Sequence, residues 1–374
     1  MIVDGQLIMD NKILLVIDSL GSGGAQNQIT LLAVELKEAG YDVHLFTYFR
    51  EDFFLQRILD KGIVYHHLEK RGKIGFNVIR GLVQLINKEE YHTVISYLRI
   101  PNFYAAIAKR WCKNKFKLIL SYRSLTDFRT YGRAEIMRSK WVNSVADCIV
   151  ANSHHERERW QKYDPKNAAK WKTIYNAVDT SLFYPDDHIP KKNYFLVVGS
   201  VSKFKNGMTV LEALTILKDK GSKAKVLWIG EKIYHLEDRK DYLESMEKYI
   251  SAYGLQNHFE WKDPVQNIGH YYNECRALIL ASKTEGLPNV VCEAMSCGTP
   301  CIVSNVLDHP LLIEEGKSGF LFNPDDAGEL ANKMEAIMKL PEMDYNKMKE
   351  DAYNKSKDLY SMDIFIEQYR KVVL

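Results

Sequence analysis

The stretch ALILASKTEGLPNVVCEAMSCGTPCIVS, residues 277–304, reads as one complete β-α-β unit. ALILAS and PCIVS are short, continuously apolar runs, the pattern of strands buried on both faces of a parallel sheet. Between them SKTEGLPN is a loop; Pro288 suits the first turn of a helix running to about Cys297, and Gly298 suits its exit.

The same alternation extends in both directions. Toward the C-terminus it ends in GFLF and then in residues that read as wholly helical from Pro341 onward. Toward the N-terminus it includes NYFLVVGS, AKVLWIG and HFEW, and before them an earlier set: KILLVID, DVHLFTY, GIVYHH, HTVISY, KLILSY and DCIVAN. The periodicity stops at WKTIYNAVDTSLFYPDDHIPKKN, residues 171–193, where Pro185, Pro190 and paired charges mark an exposed connection. The expected architecture is α/β: two doubly wound, Rossmann-like parallel-sheet domains facing a cleft, divided at 1–180 and 181–355. At 374 residues and 46% hydrophobic content, the chain is long enough for two such cores.

Six cysteines occur with no C-x-x-C pair, several inside apolar runs. They read as small buried hydrophobes of a reducing compartment and predict neither a disulfide framework nor a metal site. MIVDGQLIMD opens without the basic region of a secretory signal, and Met9 is an alternative start ahead of the first strand. No run of eighteen apolar residues is present, so the expectation is a cytoplasmic protein. The net charge of +3 is unevenly placed. Residues 1–180 hold 27 Lys and Arg against 19 Asp and Glu, and residues 70–140 hold 16 against 4. This half should attract an anionic surface or ligand; solvated charged faces are the plainer explanation.

In open parallel sheets ligands bind beyond the carboxyl ends of the strands, so loops entering helices carry the candidates. The first is SLGSGGAQNQ, where Gly23 and Gly24 let the backbone approach a phosphate at a helix start. It lacks the Gly-Lys-Ser/Thr of a Walker loop and the third small residue of the dinucleotide fingerprint. Glycines here also serve tight turns, and both readings stay open. The second is VGSVSKFKNG, which places Lys203 and Lys205 before a helix, as point charges for a diphosphate or as solvated loop lysines. The third holds Glu285 at a strand's carboxyl end and Glu293 about a helical turn further on. The two share no helix face, so each would meet a different part of one ligand. Equally, Glu285 could simply favour the helix dipole while Glu293 is solvated.

EGLPNVVCEAMSCGTPCIVSN strongly resembles the donor-binding motif of family 4 glycosyltransferases with the GT-B fold. GSGGAQNQ, LLAVELKEAGYDVHLFT, VISYLRIPNFYAAIAKR, IYNAVDTSLF and VGSVSKFKN agree with that family in order and spacing, over residues 12–374. The resemblance implies a retaining, metal-independent enzyme without a cofactor that uses a nucleotide sugar. It implies that Glu293 accepts hydrogen bonds from the ribose, that Glu285 contacts the donor sugar, and that Gly286, Leu287, Pro288, Asn289 and Val290 face the sugar and diphosphate. Lys205 would stabilise the leaving diphosphate, with Gly24 approaching it, and a final helix, residues 356–374, would cross back onto the first domain.

The sequence departs from the pattern where an arginine often follows the glycine of the second loop: Ser200 stands there, with Lys203 or another cation as the substitute. Asn206 replaces a usual glycine. SYLRIPN offers no acceptor-side histidine, and Asn102 and Arg123 are the acceptor-side candidates instead. The expected activity is transfer of a sugar, from a UDP-sugar, to a glycan or lipid-linked saccharide. Residues 70–140, with Trp111, Phe116 and Phe128, are expected to rest on an anionic membrane. A UDP-sugar epimerase is the rival enzyme, and a two-domain sugar-nucleotide-binding protein the non-enzymatic rival. Nucleic acid is not an expected partner, because no aromatic-basic motif of a known module accompanies the basic half.

Overall fold

The computed structural model describes residues 12–126, 132–233 and 236–374, and the backbone of 2–3 and 6–7. Met9 and Phe128 lie outside the described residues. Among the described residues the chain forms two compact units: residues 1–177 with 362–374, and residues 178–361. The expected divisions, 180/181 and 355/356, thus fall three residues late and six residues early.

In the first unit β1 (Ile2–Val3) pairs antiparallel with β2 (Gln6–Leu7). The main sheet is parallel and runs β5-β4-β3-β6-β7-β8-β9, from β3 (Lys12–Val16), β4 (Asp42–Thr47), β5 (Val64–His67), β6 (Thr93–Tyr97), β7 (Lys117–Tyr122), β8 (Cys148–Ala151) and β9 (Trp171–Thr173). Alternation along β3 explains its continuous apolarity. Leu14 and Val16 enter the core on one face with Phe46, Val94 and Leu118, while Ile13 and Leu15 enter the opposite core with Val43, Ile95 and Ile119. Burying each such side chain stabilises the fold by about 1.5–3 kcal/mol. The helix Met362–Val373 packs into the second of these cores through Phe365 and Tyr369. β9 lies inside the segment read as an aperiodic connection: three residues with one buried side chain are too few to show a period. Trp171 holds it in place by stacking on Trp160 at 5.6 Å.

The second unit's sheet, also parallel, runs β12-β11-β10-β13-β14-β15, from β10 (Phe195–Val198), β11 (Val226–Ile229), β12 (Phe259–Lys262), β13 (Ala277–Leu280), β14 (Cys301–Ser304) and β15 (Gly319–Phe322). The strand that starts each sheet is flanked by the second strand on one side and the fourth on the other, so the chain reverses its winding direction there. In the second unit the reversal lies between β10 and β13. In open parallel sheets the carboxyl ends of the strands at such a reversal are where a ligand-binding crevice forms.

Candidate donor site and the surfaces around it

The crevice between β10 and β13 brings together Lys205 and Glu285, which are 80 residues apart. The Lys205 ammonium donates to Glu285 Oε1 at 2.6 Å, and both side chains remain about one-fifth exposed. Backbone geometry makes the meeting possible. Gly199 has φ +136°, and a Cβ there would press within 3.1 Å of the Lys205 side chain, so glycine clears the lysine's path. Asn206 adopts the left-handed conformation (φ 56°) that the family's glycine would take; asparagine tolerates it, and its amide donates to the Pro324 carbonyl. The two loops are tied directly, Lys283 N–H donating to the Phe204 carbonyl at 2.9 Å.

Glu285 is held from behind. Ser282 Oγ donates to its Oε1 at 3.0 Å, and Ser304 Oγ donates to the Ser282 carbonyl. His309, fully buried, donates from Nδ1 to the Ser304 carbonyl at 2.7 Å. Among the described residues its Nε2 has no partner, and burial pushes its pKa down. Leu307, two residues earlier, has φ +53°, a conformation unusual for a branched side chain. Nothing in the sequence singled out Ser282, Ser304 or His309.

The helix Asn289–Ser296 starts at Pro288 with no side-chain cap, and Leu287 and Pro288 are buried while Gly286, Asn289 and Val290 are partly exposed. Glu293, on this helix, is not the solvated residue of the plainer reading. It is partly buried, its Oε2 accepts from the Tyr272 hydroxyl at 2.9 Å, and burial of the carboxyl pushes its pKa up to about 7 against the opposing pull of that hydrogen bond.

A cation fills the place left by Ser200. Arg239, from the helix Glu237–Ala252, reaches Ser200 Oγ with its Nη1 at 3.3 Å. Lys203, in contrast, is exposed and makes no ion pair among the described residues. Arg239 was invisible in the sequence because it follows β11 rather than β10.

In the first unit Gly23 caps the helix Gly24–Glu38, and both glycines are exposed. The loop is more acidic than its glycines suggest. Ser19 Oγ donates to Glu51, Gln26 donates to Asp18, and a Cβ on Gly21 would strike the Glu51 carboxylate at 2.4 Å.

The acceptor-side candidates are both engaged inside this unit. Asn102 is fully buried and donates to the Ser121 carbonyl, which also receives the Leu98 N–H. Leu98 sits at φ 75°, ψ 157°, a region that costs a non-glycine residue roughly 1–3 kcal/mol. Asn102 therefore pins a strained corner at the carboxyl end of β6. Asn102→Ala is expected to lower stability by about 1–3 kcal/mol in denaturant titration; an unchanged midpoint would contradict that role. Arg123 stacks over the Tyr97 ring at 4.6 Å and donates to the Tyr97 and Tyr369 hydroxyls, to Asn176 Oδ1 and to the Ile174 carbonyl. Its visible work is to fasten the final helix.

The basic segment also carries an apolar knot. Ile74, Phe76, Trp111 and Trp141 line a shallow depression with Arg110, and Phe76 and Trp111 are 63% and 58% exposed. Arg71 and Lys73 adjoin it. Gly75, at φ +72°, and the Tyr104 hydroxyl bonded to the Ile74 carbonyl fix this loop outward. Phe116, expected at this surface, instead lies in the core at 7% exposure. Its strand-leading position turns it inward, against Lys109. Among the described residues no helix is long and apolar enough to cross a membrane, and no three His, Cys, Asp or Glu side chains could hold a metal ion. The cysteines are free, five of them buried.

The chain is similar to known proteins over nearly its whole length. Residues 22–182 match the family described as Glycosyltransferase Family 4, and residues 184–355 match Glycosyl transferases group 1. An uncharacterized glycosyltransferase of Haemophilus influenzae is 23% identical over 97% of this chain and 99% of its own. An N-acetyl-alpha-D-glucosaminyl L-malate synthase of Bacillus anthracis is 22% identical over 95% of this chain and 94% of its own. Among solved structures, HepE of Anabaena in complex with UDP superposes with a TM-score of 0.83 at 18% identity, covering 97% of this chain and 99% of that one.

Proposed function

The chain belongs to the family 4 glycosyltransferases, and on that premise we propose that it transfers a sugar from a UDP-sugar to a glycan or lipid-linked saccharide, with retention of configuration. The observation that carries this reading is the Lys205–Glu285 contact in the β10–β13 crevice, beside the uncapped start of the helix Asn289–Ser296.

Each group has a part that its chemistry suits. The reaction breaks the bond from the anomeric carbon to the diphosphate and makes one to an acceptor oxygen on the same face of the ring. The acceptor's proton leaves with the diphosphate oxygen. Charge develops on the leaving diphosphate, so Lys205 and Arg239 are proposed to neutralise it where another design would use a metal ion. Glu285 is proposed to hold the sugar's hydroxyls, and the backbone of Gly286, Leu287, Asn289 and Val290 around Pro288 to offer N–H groups to sugar and diphosphate. Glu293 is proposed to accept from the ribose diol. Gly23 and Gly24 keep exposed backbone at an uncapped helix start and are proposed phosphate contacts; Lys203 is proposed to add only to the surrounding field. UDP is favoured over other nucleotides by the fold's likeness to HepE of Anabaena, which was solved with UDP. Saturation-transfer NMR with UDP, GDP and ADP tests the nucleotide: uridine resonances are expected to saturate most strongly, and equal saturation of all three would contradict UDP selectivity.

The apolar knot with its arginines and lysines supports peripheral binding to an anionic membrane, where a lipid-linked acceptor would be presented. Each cation near such a surface contributes about 1 kcal/mol, and Phe76 and Trp111 would enter the headgroup layer. Phe76→Ser/Trp111→Ser should reduce flotation with phosphatidylglycerol vesicles at least tenfold while leaving UDP binding intact. Equal flotation of the wild type with neutral and anionic vesicles would exclude the electrostatic part.

A further inference from the structure

A cavity of about 860 Å³ lies at the amino ends of β10, β11 and β12, away from the Lys205–Glu285 contact at the carboxyl end of β10. Its origin is topological. One face of these strands supplies the core through Phe195, Val226, Trp228 and Phe259. Strand alternation turns Tyr194, Lys225, Leu227, Glu260 and Lys262 to the other face, at the open edge of the sheet. The helix Ile268–Glu274 walls one side with Tyr271 and Glu274.

The charges in this groove are unbalanced. Four ammoniums line it, and its two carboxylates are Glu260 and Glu274. Glu274 is already committed: it pairs with Lys192 at 2.5 Å and accepts from the Tyr194 hydroxyl at 2.8 Å. Lys262 bonds to the Tyr271 side chain and feels Glu260 and Glu274, whereas Lys223 and Lys225, among the described residues, have no carboxylate oxygen within 4.0 Å. In a concave wall such unpaired cations focus the field on whatever enters. The lining also includes His258, His270, Gln256, Asn257 and the Tyr271 ring, over which Lys262 lies at 5.5 Å. Side-chain amides match hydroxyl groups, an aromatic face matches the apolar side of a sugar ring, and the ammoniums match acid groups.

We propose that this groove is a second saccharide site, selective for glycans that carry carboxylate or phosphate groups. It holds such a chain by its repeating acid groups and takes no part in bond breaking. The proposal stands independently of the donor reading, since no residue is shared between the two places.

Tri-galacturonate, a phosphorylated oligomannose and neutral maltotriose would be titrated into the intact protein and followed by two-dimensional NMR and calorimetry. Both acidic glycans should bind, maltotriose at least tenfold more weakly, with shifts confined to residues around β11 and β12. Lys223→Glu/Lys225→Glu should weaken acidic-glycan binding at least tenfold and leave UDP binding and melting temperature unchanged. These lysines are exposed, so the variant is expected to fold. Equal binding of maltotriose, unaltered affinity in the double variant, or a homopolymeric RNA displacing the glycan at lower concentration would each overturn the assignment.

Discussion

Lys205→Ala is expected to reduce kcat about 100- to 1,000-fold, with the KM for the sugar donor changed by no more than about threefold. The expectation rests on where the charge develops. The donor's diphosphate carries its charge before and after the reaction, but the oxygen bonded to the sugar gains its share only as that bond breaks. An ammonium aimed at that oxygen therefore acts chiefly on the transition state. Removing Lys205 also frees Glu285, whose carboxylate would then stand against an anionic ligand with, among the described residues, only Ser282 bonded to it. The double variant Lys205→Ala/Glu285→Gln separates the two effects. If the loss arises from the missing ammonium, neutralising Glu285 restores nothing. Recovery of turnover in the double variant would place the damage in the liberated carboxylate.

Glu293→Gln is expected to weaken UDP binding roughly 10- to 100-fold, the loss of charge-assisted hydrogen bonds worth about 1.5–3 kcal/mol. The same substitution should stabilise the folded protein in mild alkali. The sign follows from the direction of the shift. Burial raises the Glu293 carboxyl from 4.5 to about 7, so its contribution to stability is fully present below pH 4.5 and is lost as pH rises through about 7. At pH 8 the ionised group costs about 3 kcal/mol, which an uncharged amide avoids. Wild-type affinity for UDP should accordingly fall about tenfold from pH 8 to pH 6 as the carboxylate takes up its proton, and the Gln variant should be flat over that range. Ionisation of the nucleotide itself cancels in the comparison. A variant that loses UDP affinity without gaining stability at pH 8 would leave Glu293 as a ribose ligand but remove the desolvation argument. A variant that keeps full affinity would remove the ligand role.

The sheet strands were legible because burial on both faces makes a parallel strand continuously apolar, as in KILLV and ALIL. β9 escaped because three residues cannot show a period. Phe116 was misplaced at the surface because charge density along a segment says nothing about which side of a strand a residue faces. Within the site, glycines and the helix start were readable one loop at a time. What could not be read was contact across loops: Lys205 meeting Glu285 over 80 residues, Arg239 reaching Ser200 from another helix, Tyr272 beneath Glu293. The glycosyltransferase resemblance supplied expectations for Lys205, Glu285 and Glu293, but not for Arg239 or Tyr272. Those depend on side-chain reach across a folded sheet.

The central claim is transfer chemistry on a UDP-sugar at the β10–β13 crevice. It is tested most directly by time-resolved proton NMR of the protein with a panel of α-configured UDP-sugars in EDTA. The account predicts slow release of UDP from one member of the panel, with the freed sugar appearing first as its α-anomer, and loss of this release in Glu285→Ala. A β-anomer appearing first would contradict retention. An altered sugar still attached to UDP would contradict transfer itself and identify an epimerase.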